Sequence, residues 1–262
     1  MTNPLDQIKP LTGASSESTK IEQARAVAEV AAAIQVAQTF PRNLDQVRAN
    51  MQELCRSYAV AQEAFYAVPN RGSGMSVHLA RELARVYGNV DYGVRELSRT
   101  GEHSEMQAWA WDQETNTRTT RSFIQPHMKP KKGGGMQQIT DLNDIYLSNQ
   151  NTGAKAVREC IFAVLPGWMK AEAGALLDAT LKRGEGKPIE EMRAEAVRAF
   201  AGRRVTVAQL ERHVGRKQAD WTADDVAQLQ RVWQSVSRDG IAVAEFFPEE
   251  PVALPETPDA AG

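Results

Sequence analysis

The sequence predicts an α+β fold: a three-stranded antiparallel β-meander with flanking helices, followed by a small C-terminal helical module. Three observations lead there. Residues 90–97, 104–112 and 118–126 alternate side-chain character with period two, as in Val90, Tyr92 and Val94 against Asp91, Gly93 and Arg95. Short polar joins, Arg99-Thr100-Gly101-Glu102 and Glu114-Thr115-Asn116-Thr117, connect these runs, and joins that short require antiparallel neighbours. The segments on either side place apolar residues three and four apart, the spacing of one helix face.

Taken in order, residues 1–18 are rich in Pro, Ser, Thr and Gly and are expected to form a disordered tail. Residues 20–38 are Ala-rich and read as a helix that stops at or before Pro41. Residues 43–64 read as one further helix, with Leu44, Val47, Met51, Leu54, Tyr58 and Ala61 along one side. Pro and Gly punctuate residues 66–74, a short strand or loop, and residues 75–87 form a third helix that Gly88-Asn89 stops. The three strands follow. Pro126 and Pro130 close the last of them, and Lys131-Lys132-Gly133-Gly134-Gly135 reads as a flexible loop. A long helix then starts at Thr140 or Asp141 and stops at Pro166, with a kink expected at Asn151-Thr152-Gly153. Residues 168–182 continue as helix, and Gly184-Glu185-Gly186-Lys187-Pro188 is a linker candidate. Short helices are expected at 189–200, 206–213, 222–237 and 242–247, ahead of an acidic, Pro-rich tail. The division is therefore a core at 19–183, a helical module at 189–248 and a disordered acidic tail at 249–262.

Composition excludes several classes. The formal net charge is −2, so nonspecific attraction of the whole molecule to a polyanion is not expected. Cys55 and Cys160 lie far apart in helical patterns and read as buried free thiols. The first residues include Asp6 and Lys9 and no apolar run, so no signal peptide and a cytoplasmic location are expected. A phosphate-binding loop fails at Gly186-Lys187, where Pro188 follows and Leu181 stands in place of the first glycine. His78, His103, His127 and His213 are too dispersed for a zinc site. Asp91, Glu96, Asp112 and Glu114 are the only carboxylates placed for a metal nuclease. They read instead as solvated strand-end charges. No cofactor and no enzymatic chemistry are expected.

Charge sorting points elsewhere. From Arg118 to Arg158 the chain carries seven Lys or Arg residues against two acids, Asp141 and Asp144. Trp109 and Trp111 share one strand face, while Ala108 and Ala110 on the other would let a helix pack closely. An open sheet beside a basic helix would make a groove in which cations follow a phosphate backbone and indoles stack on bases. The candidate DNA-binding residues are Arg71, Arg95, Trp109, Trp111, Arg118, Arg121, Lys129, Lys131, Lys132, Lys155 and Arg158. Core packing is the competing role for the two tryptophans, and ordinary solvation for the cations.

An ordered set of landmarks makes the chain resemble a known family. They are Phe40-Pro41-Arg42, the 76–88 segment, Tyr87-Gly88-Asn89-Val90-Asp91-Tyr92-Gly93 and Ala108-Trp109-Ala110-Trp111-Asp112-Gln113-Glu114-Thr115-Asn116. Residues 123–127, Thr140-Asp141-Leu142-Asn143-Asp144-Ile145-Tyr146, Gly153-Ala154-Lys155-Ala156-Val157-Arg158 and Ile161-Phe162-Ala163-Val164-Leu165-Pro166 complete it. Over roughly residues 35–175 the chain is similar to the RecT/Red-beta class of phage single-strand annealing proteins. The resemblance implies a β-β-β-α core and ATP-independent pairing of complementary strands in phage recombination. It implies a homo-oligomer, as ring or helical filament, holding single-stranded DNA and the annealed duplex intermediate. It also implies that the C-terminal module meets a partner exonuclease or host single-strand-binding protein. Lys182, Arg183, Arg203, Arg204, Arg212, Arg216 and Lys217 are the candidate contacts for an acidic tail on such a partner, and a helical cap that only packs on the core is the competing role. Coating of single strands without annealing is the alternative, and a metal-dependent nuclease a more remote one.

Overall fold

The computed structural model describes residues 17–131 and 134–248. The tails expected at 1–18 and 249–262 lie outside the described residues, apart from Glu17 and Ser18, which already belong to the first helix. The fold is mixed α and β.

Helix α1 (Glu17–Thr39) leads to α2 (Leu44–Arg56), which Asn43 caps by accepting from the Asp45 and Gln46 amides. The single helix expected over 43–64 is two. Ser57 takes an extended conformation (φ −69°, ψ 120°), ends α2 and accepts from the Val60 amide to start α3 (Tyr58–Glu63). A serine that can bond its own downstream backbone favours a cap over a helix interior, and apolar spacing alone does not register that break. A short hairpin follows, β1 (Phe65–Val68) with β2 (Gly72–Met75), and then α4 (Val77–Tyr87), which Ser76 caps. Gly88 ends α4 at φ 77°, a conformation only glycine takes without strain.

Strands β3 (Val90–Arg99), β4 (His103–Asp112) and β5 (Thr117–Pro126) form an antiparallel sheet in the order β3-β4-β5. Asp91 pairs with Trp111 and Gly93 with Trp109 on one side of β4, and Trp109 with Thr120 on the other. A further hairpin, absent from the sequence reading, joins β6 (Met128–Pro130) to β7 (Met136–Gln138). Lys132 lies outside the described residues. Helix α5 (Leu142–Val164), capped by Asp141, is unbroken through Gly153. The glycine serves packing and not a kink: a Cβ there would stand 3.0 Å from Val94. Pro166 has no amide to continue the helix, and the axis turns by 116° into α6 (Gly167–Arg183).

After a 3-10 turn at Gly184–Gly186 come α7 (Ile189–Ala201), α8 (Val207–Val214), α9 (Ala223–Ser237) and α10 (Val243–Phe246). Thr206 and Thr222 begin α8 and α9 with reciprocal capping boxes. One apolar cluster joins α2, α4, α5, α6 and the helix-facing alanines of β4. A second gathers Phe200, Leu210, Trp221 and Leu229 from the C-terminal helices together with Ala67 of β1. The two meet along β1, where Phe65 belongs to the first and Ala67 to the second, and where Arg231 of α9 pairs with Asp178 of α6; the buried Ala67 amide donates to Ser235 Oγ at 2.8 Å. Cys55 and Cys160 are buried free thiols, and burial pushes the Cys55 thiol up to about 11. Among the described residues no single helix is long and apolar enough to cross a membrane.

Candidate nucleic-acid interface

Alternation along β4 gives the sheet two unlike faces. Met106, Ala108 and Ala110 point to one face and are fully covered. Helix α5 lies across it: Asn149 Nδ2 donates to Ser104 Oγ at 3.0 Å and Gln125 Nε2 to Ser148 Oγ at 3.0 Å. Two alanines on the sheet and Gly153 on the helix allow this close approach. The groove expected between an open sheet and an adjacent basic helix is therefore not formed in that way, because α5 backs the sheet instead of flanking it.

The other face carries Arg95, Trp109 and Arg118 of the predicted site. Trp109 is half-buried. Its indole extends over Gly93, where a Cβ would stand 2.6 Å from the ring, and its Nε1 donates to Asp91 Oδ2 at 2.7 Å. The Arg95 guanidinium sits 5.7 Å from the Trp109 ring centre and donates to Gln107 Oε1 at 2.8 Å. Trp111 differs. It is 9% exposed and its Nε1 donates to Asn116 Oδ1 in the β4–β5 turn at 3.1 Å. Of the two indoles only Trp109 is available to a base.

Arg121 and Lys155 belong to the helix side. Arg121 stands opposite Ala108 at the β5 edge, close enough to Cys160 to oppose the burial that raises that thiol. Lys155 is exposed, two residues on from the buried Gly153 and two before the buried Val157, so it points away from the sheet. Arg158 is held: its guanidinium lies 4.8 Å over the Tyr66 ring and bonds Glu159 at 2.7 Å. Arg71 is exposed in the β1–β2 turn. On the second hairpin, Lys129 pairs with Asp144 at 2.8 Å and Lys131 is exposed. The structure thus distributes the predicted residues over two sides of the sheet, the two hairpins and, for Trp111, the interior.

Sequence reasoning missed the residues that hold these surfaces in place. His127, weighed only as a metal ligand, is buried at the base of the β6–β7 hairpin. Its amide donates to Glu102 O, its carbonyl accepts from the Ile139 amide, and its Nε2 lies 2.8 Å from Ser104 Oγ. Arg42 is the second. Its side chain is 5% exposed, lies 3.8 Å from the Tyr87 ring centre, and binds both Asp112 oxygens at 2.6 and 2.9 Å and Gly88 O at 3.0 Å. The Arg42 amide donates to Glu114 Oε2 at 3.0 Å, an oxygen that also accepts from Asn89 Nδ2. Burial works against ionised Asp112, but the bonds from Arg42, Thr115 and the Glu114 amide outweigh it and hold the carboxyl below its ordinary range. Asp112 is consequently no solvated strand-end charge: a buried clamp occupies it. The Phe40-Pro41-Arg42 landmark was the available signal, though nothing in it specified a partner.

In the C-terminal helices several proposed contacts are engaged internally. Lys182 bridges Asp178 and Asp224, Arg216 pairs with Asp225, and Lys217 with Glu211. Arg203 lies 5.9 Å from the Trp233 ring. A cleft of about 360 Å³ opens there between Tyr58, Gln62, Phe200 and Trp233. No group of three or more His, Cys, Asp or Glu among the described residues is arranged to hold a metal ion. Compared with known proteins, the chain matches no protein-family model, no curated protein and no solved structure.

Proposed function

We propose that this chain is a single-strand annealing protein that binds single-stranded DNA as an oligomer and pairs complementary strands without ATP, in phage homologous recombination. The observation that carries the reading is the placement of cations. Arg118, Arg121, Lys131 and Lys155 are exposed and make no ion pair among the described residues, in a chain whose net charge is −2. Unpaired cations on β5, on the second hairpin and on the outer side of α5 attract a phosphate backbone and release its counterions. A strand held by its backbone leaves its base edges outward for a second strand. Duplex stacking, on the order of 1.4 kcal/mol per step, then drives pairing with no nucleotide hydrolysis. The ordered landmarks shared with the RecT-like class support the same reading.

One observation favours a second reading. The half-exposed Trp109 offers a ring face on which a base can stack, as in proteins that coat single strands. The nuclease reading is weaker for a specific reason: both Asp112 oxygens are bound by Arg42. The deciding experiment is annealing of two complementary fluorescent oligonucleotides with EDTA and no ATP, with the same samples imaged by electron microscopy. Accelerated pairing on rings or filaments supports annealing. Tight binding that blocks pairing leaves the coating protein, and no binding removes both.

A further inference from the structure

Among the described residues, helix α1 is covered only near its C-terminal end. Its apolar residues are spread around the whole circumference, and residues 30–39 contain no charge. A helix apolar on all sides belongs in an interior. Yet Ala37 is the one buried residue of α1, while Ile21, Val27, Val30 and Val36 are exposed. Beyond its end, Phe40 is 71% exposed and Leu44 54%. The helix is anchored at its C-terminal end, where Phe40 O accepts from Asn89 Nδ2 beside the start of β3.

Most of the other exposed large apolar side chains among the described residues lie at the opposite end of the sheet. There Ile124 of β5, Met128 and Met136 of the hairpin, and Leu142, Tyr146 and Leu147 of α5 are all exposed. The Lys129–Asp144 pair holds the hairpin beside the first turn of α5. Ten-residue strands separate the two ends by about 33 Å. The two surfaces are different in kind, a bare helix and a patch built from a strand, a hairpin and a helix start.

We infer that α1 of one copy docks on the hairpin–α5 patch of a second copy, so that the chain assembles head to tail. Two unlike surfaces at opposite ends give a heterologous contact, which propagates into a ring or a filament and does not stop at a symmetric dimer. The area suffices: a 23-residue helix is about 34 Å long, and covering half its circumference buries on the order of 600 Å² per partner. Twice that, about 1,200 Å², meets the lower bound for a stable interface. Charge is compatible as well. Helix α1 has Glu17, Glu22 and Glu29 against Lys20 and Arg25, and the hairpin presents Lys131. The inference deepens the oligomer in the annealing reading by naming its two contact surfaces.

The test uses the full chain, with and without oligo-dT, and measures mass by sedimentation and mass photometry. Two variants are compared: Val30→Glu with Val36→Glu, which spoils the helix, and Leu142→Glu with Tyr146→Glu, which spoils the patch. Circular dichroism and the thermal midpoint check folding, and serine replaces glutamate if either variant unfolds. Wild type should form oligomers and each variant alone should be monomeric. An equal mixture of the two variants should form dimers, because one intact helix then meets one intact patch. A monomeric wild type overturns the inference. So does a variant that assembles as wild type does, or a mixture that stays monomeric. Oligomers that fail to anneal would remove the annealing reading and leave this interface, and annealing by a monomer would do the reverse.

Discussion

Removing the Arg42 guanidinium would leave Asp112 ionised and buried with no counter-charge. Breaking one half of such a pair costs about 3–5 kcal/mol, so Arg42→Ala should show that loss in urea unfolding. The pH dependence has a definite sign. The Asp112 carboxyl is held below its ordinary range, so its contribution is present above the unfolded value of about 3.9 and is lost as pH falls through the folded value. The stability gap between wild type and Asp112→Asn should therefore be widest near neutrality and close below about pH 4. The tryptophans separate at the same scale. Trp109→Ala should weaken oligo-dT binding by about 1–3 kcal/mol while leaving folding nearly intact, read by fluorescence titration. Trp111→Ala, at a buried position, should instead lower stability by about 3–5 kcal/mol. Alternation placed both indoles on one face. It could not say that the first lies over a glycine while the second is enclosed at the sheet end.

Helix α5 connects the sheet to the outward cations, and its glycine sets how near it sits. Gly153→Leu would drive a side chain into Val94 and should cost about 1–3 kcal/mol in thermal or urea unfolding. Lys155→Ala tests the outer side of the same helix without touching its packing. It should leave the melting curve unchanged and lower the magnitude of the salt dependence of DNA affinity by about one unit in log–log slope. Arg158 is the less clean probe, since it also covers Tyr66. Most elements were legible from pattern: the three strands, both turns and each C-terminal helix fall within a few residues of their expected bounds. The failures have physical causes. The helix break at Ser57 depends on a side chain bonding its own backbone. The β6–β7 hairpin has strands of three residues, too short for alternation to register.

At the scale of the molecule, the C-terminal helices close on the rest through β1 and α9. Ser235 supplies the acceptor for the buried Ala67 amide, so Ser235→Ala should cost about 1–3 kcal/mol. Both apolar clusters should respond together, seen as one transition by far-UV and near-UV circular dichroism. Two separate transitions, with only the later one shifted, would show that the clusters are not coupled through this bond. Trp221 lies in the second cluster and Trp233 packs against it, so near-UV circular dichroism follows that cluster directly.

The sequence by itself determined the alternation of the strands, the polar turns between them, the cap at Asp141 and the excess of cations between Arg118 and Arg158. These follow from local backbone preference and from composition, which act over a few residues. Tertiary structure alone decided which side of the sheet α5 covers, and hence that Lys155 and Trp109 lie on opposite sides of it. It also decided that Arg42 reaches Asp112, 70 residues away, and that among the described residues of α1 Ala37 alone is buried. Each of these depends on which surfaces the folded chain brings together. That choice is settled by shape and burial across the whole molecule and leaves no periodic trace in the sequence.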